Sequence, residues 1–250
     1  MGIFNADGSQ AGACGNATRC VGALLMRRQH KSERAVVHTV AGALHVRWWE
    51  AAASPSSCGS VEQPPELAQE RAGWVEVDMD LPRFGWEEVP LQATAPRVST
   101  ADLGLCHGPL RGGVAVSVGN PHVVFFLDAE ASLADVDLAA PATQVQALSL
   151  FPEGVNVSLA QCRDEGRSID LRVYERGAGE TGACGTGACA TFAAARRLGM
   201  CQPAADICFA SGRLYLRERE ADGHLLMAGE AVEVFTGTLA PPLALLLEDR

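Results

Sequence analysis

IDLRVYERGAGETGACGTGACATFAAARRLG, residues 169–199, is the stretch that decides the fold. Ile169, Leu171 and Val173 alternate with polar residues as in a half-buried strand, and the run ends at the charged pair Glu175 and Arg176. Glycines at 177, 179, 182, 185 and 187 then turn the chain. Small residues from 188 to 195, Arg196 and Arg197 in the last turn, and Gly199 as a stop predict a helix that starts at Cys184, Gly185 and Thr186. The first N–H groups of a helix lack intrahelical acceptors, and together with the positive end of the dipole they favour thiolate over thiol. Cys184 is therefore a candidate nucleophile or base.

Alone, such a cysteine reads as a small residue filling a tight turn. It has a counterpart: Gly-Ala-Cys-Gly at 182–185 also stands at 12–15, where Cys14, Gly15 and Asn16 again precede an apolar-periodic segment. Each half of the chain thus carries a cysteine at a glycine-rich helix start.

The chain has 250 residues and 48% hydrophobic content, enough for one large or two small domains with a buried core. Its net charge is −10 and it has no long basic run, which argues against nucleic acid and anionic membranes and for a small polar substrate. No stretch approaches the roughly 20 apolar residues of a spanning helix, and MGIFNADGSQ lacks the basic start and apolar core of a signal peptide. A cytoplasmic location is the expectation. Nine cysteines without an export signal point to reduced thiols rather than a disulfide framework.

Taken in order, residues 1–16 read as a strand end and a turn-rich loop, so that the chain begins mid-structure. A helix is expected over 18–29, with Val21, Leu24, Leu25 and Arg28 marking its faces. Strand-like runs at 35–40 and 43–49 flank Ala41-Gly42 as a hairpin, and 51–66, rich in Ala, Ser and Pro, reads as an exposed loop in which Cys58 is incidental. A strand over 74–79 leads through an irregular stretch to a domain boundary near 105–112. Strands at 113–118 and 123–127 flank Gly119-Asn120-Pro121-His122, a turn that is either punctuation or a presenter of two polar side chains. Partial helix over 131–150, a strand at 155–160 bearing Asn156, and short strands at 207–209, 213–217, 225–227 and 232–235 complete the pattern. The tail 239–250 has no assigned role.

Three other chemistries fit less well. Gly177-x-Gly179-x-x-Gly182 matches the dinucleotide fingerprint, but the acidic residue it needs at the end of the next strand is absent, since Asp206 precedes its strand. The pairs Cys14/Cys20 and Cys184/Cys189 are spaced too widely for a usual zinc site, and Cys20 and Cys189 read as buried small side chains. Pyridoxal phosphate needs a Schiff-base lysine, and the chain's one lysine, Lys31, lies in a polar stretch. Two thiols facing each other across a cleft, one ionised and one protonated, instead suit inversion of a stereocentre by proton transfer. Helix N-termini would bind the substrate carboxylate and stabilise the charge left when the α-proton departs.

FNADGSQAGACGNATRC, VGNPHVVFF, the segment around Asn156 and RVYERGAGETGACGTGACA resemble, in that order, the motifs of the diaminopimelate epimerases, over about residues 3–237. The resemblance implies an α/β (α+β) fold of two similar domains, 1–110 and 111–238, each a barrel-like sheet around a central helix, with the active site in the cleft between them. It implies an isomerase of lysine biosynthesis that interconverts LL- and meso-diaminopimelate with no cofactor and no metal, as a homodimer. By motif position Cys14 and Cys184 match the catalytic cysteines. Asn5, Asn120, Asn156, Glu175 and Arg176 match substrate-holding positions, with Arg176 suited to a carboxylate. Gly15, Asn16, Gly185 and Thr186 match the helix starts that line the site, and His122 and Glu175 match groups that manage the protonation of the cysteines. Two departures stand out: the family carries a further segment ahead of the FNADGS motif, and Ala17 replaces its usual glycine. They leave two alternatives beside the epimerase, an inactive remnant of the family and an epimerase or racemase of another amino acid.

Overall fold

The structure is a computed structural model that describes residues 1–4, 8, 14–28, 32–40, 42–49, 73–92 and 99–238. The expected loop at 51–66 with Cys58, Lys31, and the tail 239–250 lie outside the described residues.

The architecture is mixed α+β. Helix α1 (Gly15–Arg28) is followed by strands β1 (Arg34–Thr39), β2 (Gly42–Trp49) and β3 (Gly73–Asp78) and by a small separate hairpin, β4 (Leu105–His107) with β5 (Leu110–Gly112). Strands β6 (Val114–Ser117) and β7 (Pro121–Phe126), helix α2 (Ala139–Gln146), and strands β8 (Asn156–Arg163), β9 (Ser168–Glu175) and β10 (Gly179–Thr181) come next. Helix α3 (Gly185–Arg197) and strands β11 (Ala204–Phe209), β12 (Gly212–Glu218) and β13 (Leu225–Ala231) complete the chain. One sheet runs in the order β1-β2-β3-β13-β12-β11-β9-β8-β7-β6, with β10 folded back on β9. Its two parallel pairs, β7/β8 and β9/β11, are the ones joined through helices α2 and α3; parallel neighbours need such a crossover.

Helix α3 is the hub. Its residues from Gly187 to Ala195 are all buried, so the helix is enclosed on all sides rather than amphipathic. It packs on the contiguous run of the sheet from β13 through β12, β11, β9, β8 and β7 to β6, while α1 packs on β1, β2, β3 and β13. Strand β13 therefore touches both helices, and one continuous core holds Met26 of α1, Phe192 of α3 and Met227 of β13.

The sequence pattern placed α3 and most strands correctly, and the differences have physical causes. Helix α1 begins at Gly15, three residues before the periodic run, because Cys14 already serves as its start: the Cys14 carbonyl accepts the Thr18 N–H and Oγ1–H, both at 2.9 Å. Its buried face is not the large apolar one. Gly15, Thr18, Arg19, Gly22, Ala23 and Met26 face inward, whereas Leu24 is 38% exposed. Close approach selects small residues here, since a methyl on Gly22 would stand 2.6 Å from Val46 Cγ2. Cys20, expected to be buried, is exposed for the same reason, while Cys189 is fully buried. The glycine-rich 105–112 stretch forms the β4/β5 hairpin. The strand expected at 232–235 does not form: β13 stays paired with β3 up to Ala231 opposite Gly73, and Val234 and Phe235 beyond it are 86% and 84% exposed.

Candidate active site

The two glycine-rich helix starts meet over one side chain. Met227, fully buried on β13, sits beneath both: a methyl on Gly15 would come within 2.5 Å of its Cε, and one on Gly185 within 3.5 Å of its Cε and Sδ. That same position on Gly185 lies 3.8 Å from Asn16 Oδ1. Both helix ends therefore approach a common floor, more closely at Gly15 than at Gly185. Cys14-Gly15-Asn16 and Cys184-Gly185-Thr186, far apart in sequence, thereby form one site, half-buried on the Cys14 side and buried at Cys184.

Cys184 is the N-cap of α3, with extended backbone (φ −139°, ψ 113°), and its sulfur accepts the Gly187 N–H at 3.4 Å. The thiol donates to Glu175 Oε2 at 3.2 Å, and Thr186 Oγ1 lies 3.5 Å away. The pull of the helix N-terminus toward thiolate is outweighed here. Burial and then the Glu175 carboxylate push the Cys184 thiol up to about 11, while Thr186 and the Gly187 N–H pull the other way. In this resting arrangement Cys184 is a thiol, hence an acid rather than a base. Glu175 is itself held by Thr181 Oγ1–H on β10, so the short hairpin after β9 aims the carboxylate at the sulfur.

Three strand ends supply the rest. Parallel pairing of β7 with β8 puts His122 opposite Asn156, and antiparallel pairing of β8 with β9 brings Glu175 and Arg176 to the same edge. Asn156 is 5% exposed; its amide donates to the Pro121 carbonyl at 3.1 Å and its Oδ1 accepts the Arg176 N–H at 2.9 Å. It therefore clamps the strand ends together. Asn120 Nδ2 donates to Thr186 Oγ1 at 3.4 Å, and His122 Nε2 faces Asn120 Oδ1 at 3.1 Å, which needs the Nε2–H tautomer.

Among the described residues, no hydrogen bond joins His122 to a cysteine. The imidazole is fully buried, and burial, followed by the nearby Arg176 charge, lowers it to about 3, so the ring stays neutral at any physiological pH. Through Asn120 it is linked to the Thr186 hydroxyl beside Cys184. Arg176 is exposed, bonds the Glu153 carbonyl through Nη1, and runs its stem past Gly154, whose φ of +71° and missing Cβ leave the space. Asn5 lies outside the described residues.

Sequence reading missed Met227, Thr181 and Arg19, whose Nη2 donates to Asn16 Oδ1 at 2.7 Å. Arg19 stands at helical spacing from Gly22, Ala23 and Met26, the buried face of α1, and that spacing of small residues was the available signal. Met227 and Thr181 join the site only through sheet pairing, for which the sequence holds no local sign.

The diaminopimelate epimerase family model matches residues 114–234. The diaminopimelate epimerase of Acidiphilium cryptum strain JF-5 is 41% identical over 239 residues, 96% of this chain and 76% of that protein. That of Phenylobacterium zucineum strain HLK1 is 43% identical over 242 residues, 95% of this chain and 76% of its own. Among solved structures, a predicted epimerase from Pseudomonas aeruginosa superposes with a TM-score of 0.55 at 17% identity, covering 94% of this chain and 79% of the other, a likeness of fold alone. With paired cysteine helix starts in one site and this identity to curated relatives over nearly its whole length, the chain belongs to the diaminopimelate epimerase family.

Proposed function

We propose that this chain interconverts LL- and meso-2,6-diaminopimelate by proton transfer between Cys14 and Cys184. The meeting of the two cysteine helix starts over Met227 is the observation that carries the reading. Inversion at an α-carbon needs a base on one face and an acid on the other. Cys184, held protonated against Glu175, is the acid in the resting state; Cys14 at the facing start is then the base. The C–H electron pair stays on the α-carbon as its proton passes to the Cys14 sulfur, and the Cys184 S–H proton is delivered to the opposite face. The thiol state of the pair is then reversed, so the reverse reaction uses the same groups in exchanged roles.

An α-proton of an amino acid is a weak acid, so the negative charge spreading onto the adjacent carboxylate must be stabilised. The N–H groups of Gly15, Asn16, Gly185 and Thr186 head two helices and have no intrahelical acceptors, which suits them to that carboxylate. Asn120, fixed between His122 and Thr186, and the clamp of Asn156 on the Arg176 backbone supply orientation. The exposed Arg176 guanidinium suits the distal carboxylate, and Asn5 belongs to the same substrate set by motif. Residues 1–110 and 111–238 are the two lobes in this reading, because each contributes one cysteine start. The enzyme works without pyridoxal phosphate, in the cytoplasm, on the route to lysine, and as a homodimer, as its family membership supports.

The test is α-proton exchange. The purified chain and its Cys14→Ala and Cys184→Ala variants are incubated with LL-diaminopimelate in deuterated water, and deuterium and stereochemistry at the α-carbon are followed by mass spectrometry and chiral chromatography. The parent is expected to incorporate deuterium with inversion, and each variant to lose inversion. Inversion surviving in either variant, or no exchange by a folded parent, would refute the two-thiol reading.

A further inference from the structure

We infer that Arg172 is a positioning residue of the Cys184 acid: by clamping Glu180 on one face of the β10 hairpin it fixes Thr181 on the other, and with it the Glu175 carboxylate. The inference rests on the proposed two-cysteine function and deepens it.

Strand β10 has little support of its own. It is three residues long, lies off the main order of the sheet and, among the described residues, pairs with β9 alone. The turn leading into it runs through Gly177 and Gly179, both in the left-handed region (φ +78° and +77°), and glycine loses the most backbone freedom on ordering. A two-stranded ribbon of this kind is marginal by itself. Yet Thr181, which holds Glu175, is its last residue, and the chain then leads straight to Cys184 at the head of α3.

The clamp sits on the opposite face. Glu180 stands opposite Tyr174 and Thr181 opposite Val173. Side chains alternate along a strand, so Glu180 shares a face with Arg172, while Thr181 shares the other with Val173 and Glu175. Arg172 Nε donates to Glu180 Oε1 at 2.6 Å and Nη2 donates to Oε2 at 3.0 Å, the two-pronged geometry in which a guanidinium–carboxylate pair is strong. Its third nitrogen, Nη1, donates to the Leu133 and Val136 carbonyls at 2.8 and 2.7 Å, at the single helical turn Leu133–Asp135. An isolated surface ion pair contributes little. This one differs because the arginine is itself anchored to a separate turn, so that β10 is tied to the body of the protein and not only to its own neighbour.

With β10 held, the Thr181 hydroxyl occupies Glu175 Oε1 and leaves Oε2 to the Cys184 S–H at 3.2 Å. Without the clamp β10 separates from β9, Thr181 withdraws, and the Glu175 side chain is free to turn from the sulfur. The thiol then loses the carboxylate that keeps its proton. Loosening the clamp therefore cannot do more to Cys184 than removing the carboxylate charge itself.

The test uses Arg172→Gln, which removes the charge and the fork, and Glu180→Gln, which changes only the partner, each alone and combined with Glu175→Gln. Alkylation by iodoacetamide at pH 8 is read by peptide mass spectrometry, with fragmentation to separate Cys184 from Cys189. Arg172→Gln is expected to raise the Cys184 rate by about threefold, within the roughly tenfold bound set by loss of the carboxylate charge. Glu180→Gln should act in the same direction, and neither should add to the rate of Glu175→Gln. That non-additivity separates positioning through Glu175 from general loosening. Thr181→Val should raise the rate at least as much, and Thr181→Ser, which restores the hydroxyl, should return it to the parent value. Unchanged Cys184 rates in both clamp variants, a full rise surviving in the Glu175→Gln background, Thr181→Val at the parent rate, or alkylation of the fully buried Cys189 would each overturn the inference. Should Arg172→Gln not fold, Glu180→Gln on the more exposed partner decides by the same criteria. Alkylation needs no turnover, so a parent inactive on diaminopimelate would refute the proposed function while leaving the Arg172 result readable.

Discussion

Replacing Glu175 by glutamine isolates the group that keeps Cys184 protonated. The Cys184 thiol donates to Glu175 Oε2 at 3.2 Å, and the other carboxylate oxygen is held by Thr181. Glutamine preserves the size and removes the charge; one of the two accepting oxygens becomes an NH2 donor, and the Thr181 hydroxyl can turn to accept from it so that the remaining oxygen still faces the Cys184 thiol. Two unit charges at about 3 Å in an effective dielectric of about 20 would interact by about 5 kcal/mol, which is an upper bound for a carboxylate already bonded to a hydroxyl. The actual displacement is smaller: the thiol stands at about 11 against an ordinary 9.0, with burial the first cause and Glu175 the second. Removal of the charge is therefore worth on the order of tenfold in the thiolate fraction, about 1.4 kcal/mol. At pH 8, below both values, alkylation of Cys184 by iodoacetamide should rise by about that factor, read on the peptide containing Cys184 and Cys189 with fragmentation to separate them. Cys189 should remain unreactive because it is fully buried. An unchanged or slower Cys184 rate, with an unaltered circular dichroism spectrum, would show that the carboxylate does not hold the proton and that burial alone does.

Three further outcomes follow from the same geometry. His122 is held neutral to about pH 3 in the fold but takes a proton near 6.5 when unfolded, so the unfolded state binds the extra proton and stability falls as pH drops from 6.5 towards 3. His122→Gln should flatten that limb by up to about 1.4 kcal/mol per pH unit in denaturant titrations, and an unchanged slope would mean the ring is protonated in place. Gly22→Ala, favourable by helix propensity alone, should destabilise by about 1–3 kcal/mol because its methyl meets the stiff Val46 side chain at 2.6 Å, checked by thermal unfolding. Asn156→Ala should lose both the Pro121 and the Arg176 backbone bonds; kcat/KM for diaminopimelate is expected to fall at least tenfold while the alkylation rate of Cys184 stays the same.

Much of this protein was legible in its linear order, because helix and strand periodicity, caps and turn glycines are local signals. The run from Ile169 to Gly199 gives strand, turn and helix to within a residue or two, and the repeated Gly-Ala-Cys-Gly marks both halves of the site. These features need only neighbouring residues to be read. What the linear order misjudged are quantities that depend on surroundings. A cysteine at a helix start looks like a thiolate until burial and Glu175 are added, and those come from β9 and the β10 hairpin. The neutral state of His122 likewise comes from its burial where β7 pairs with β8, which no local pattern shows.

The face that α1 buries, the Met227 floor shared by both helix starts and the enclosure of Arg19 against Gly229 were decided by tertiary structure alone. Each depends on which strands lie side by side, and β3 meets β13 across a sequence separation of well over a hundred residues. Sequence by itself determined most of the elements and pointed to the two thiols and the reaction they suit. Packing decided the rest: Cys184 is the protonated one because desolvation and the charge of a distant residue act only once the chain has closed around it.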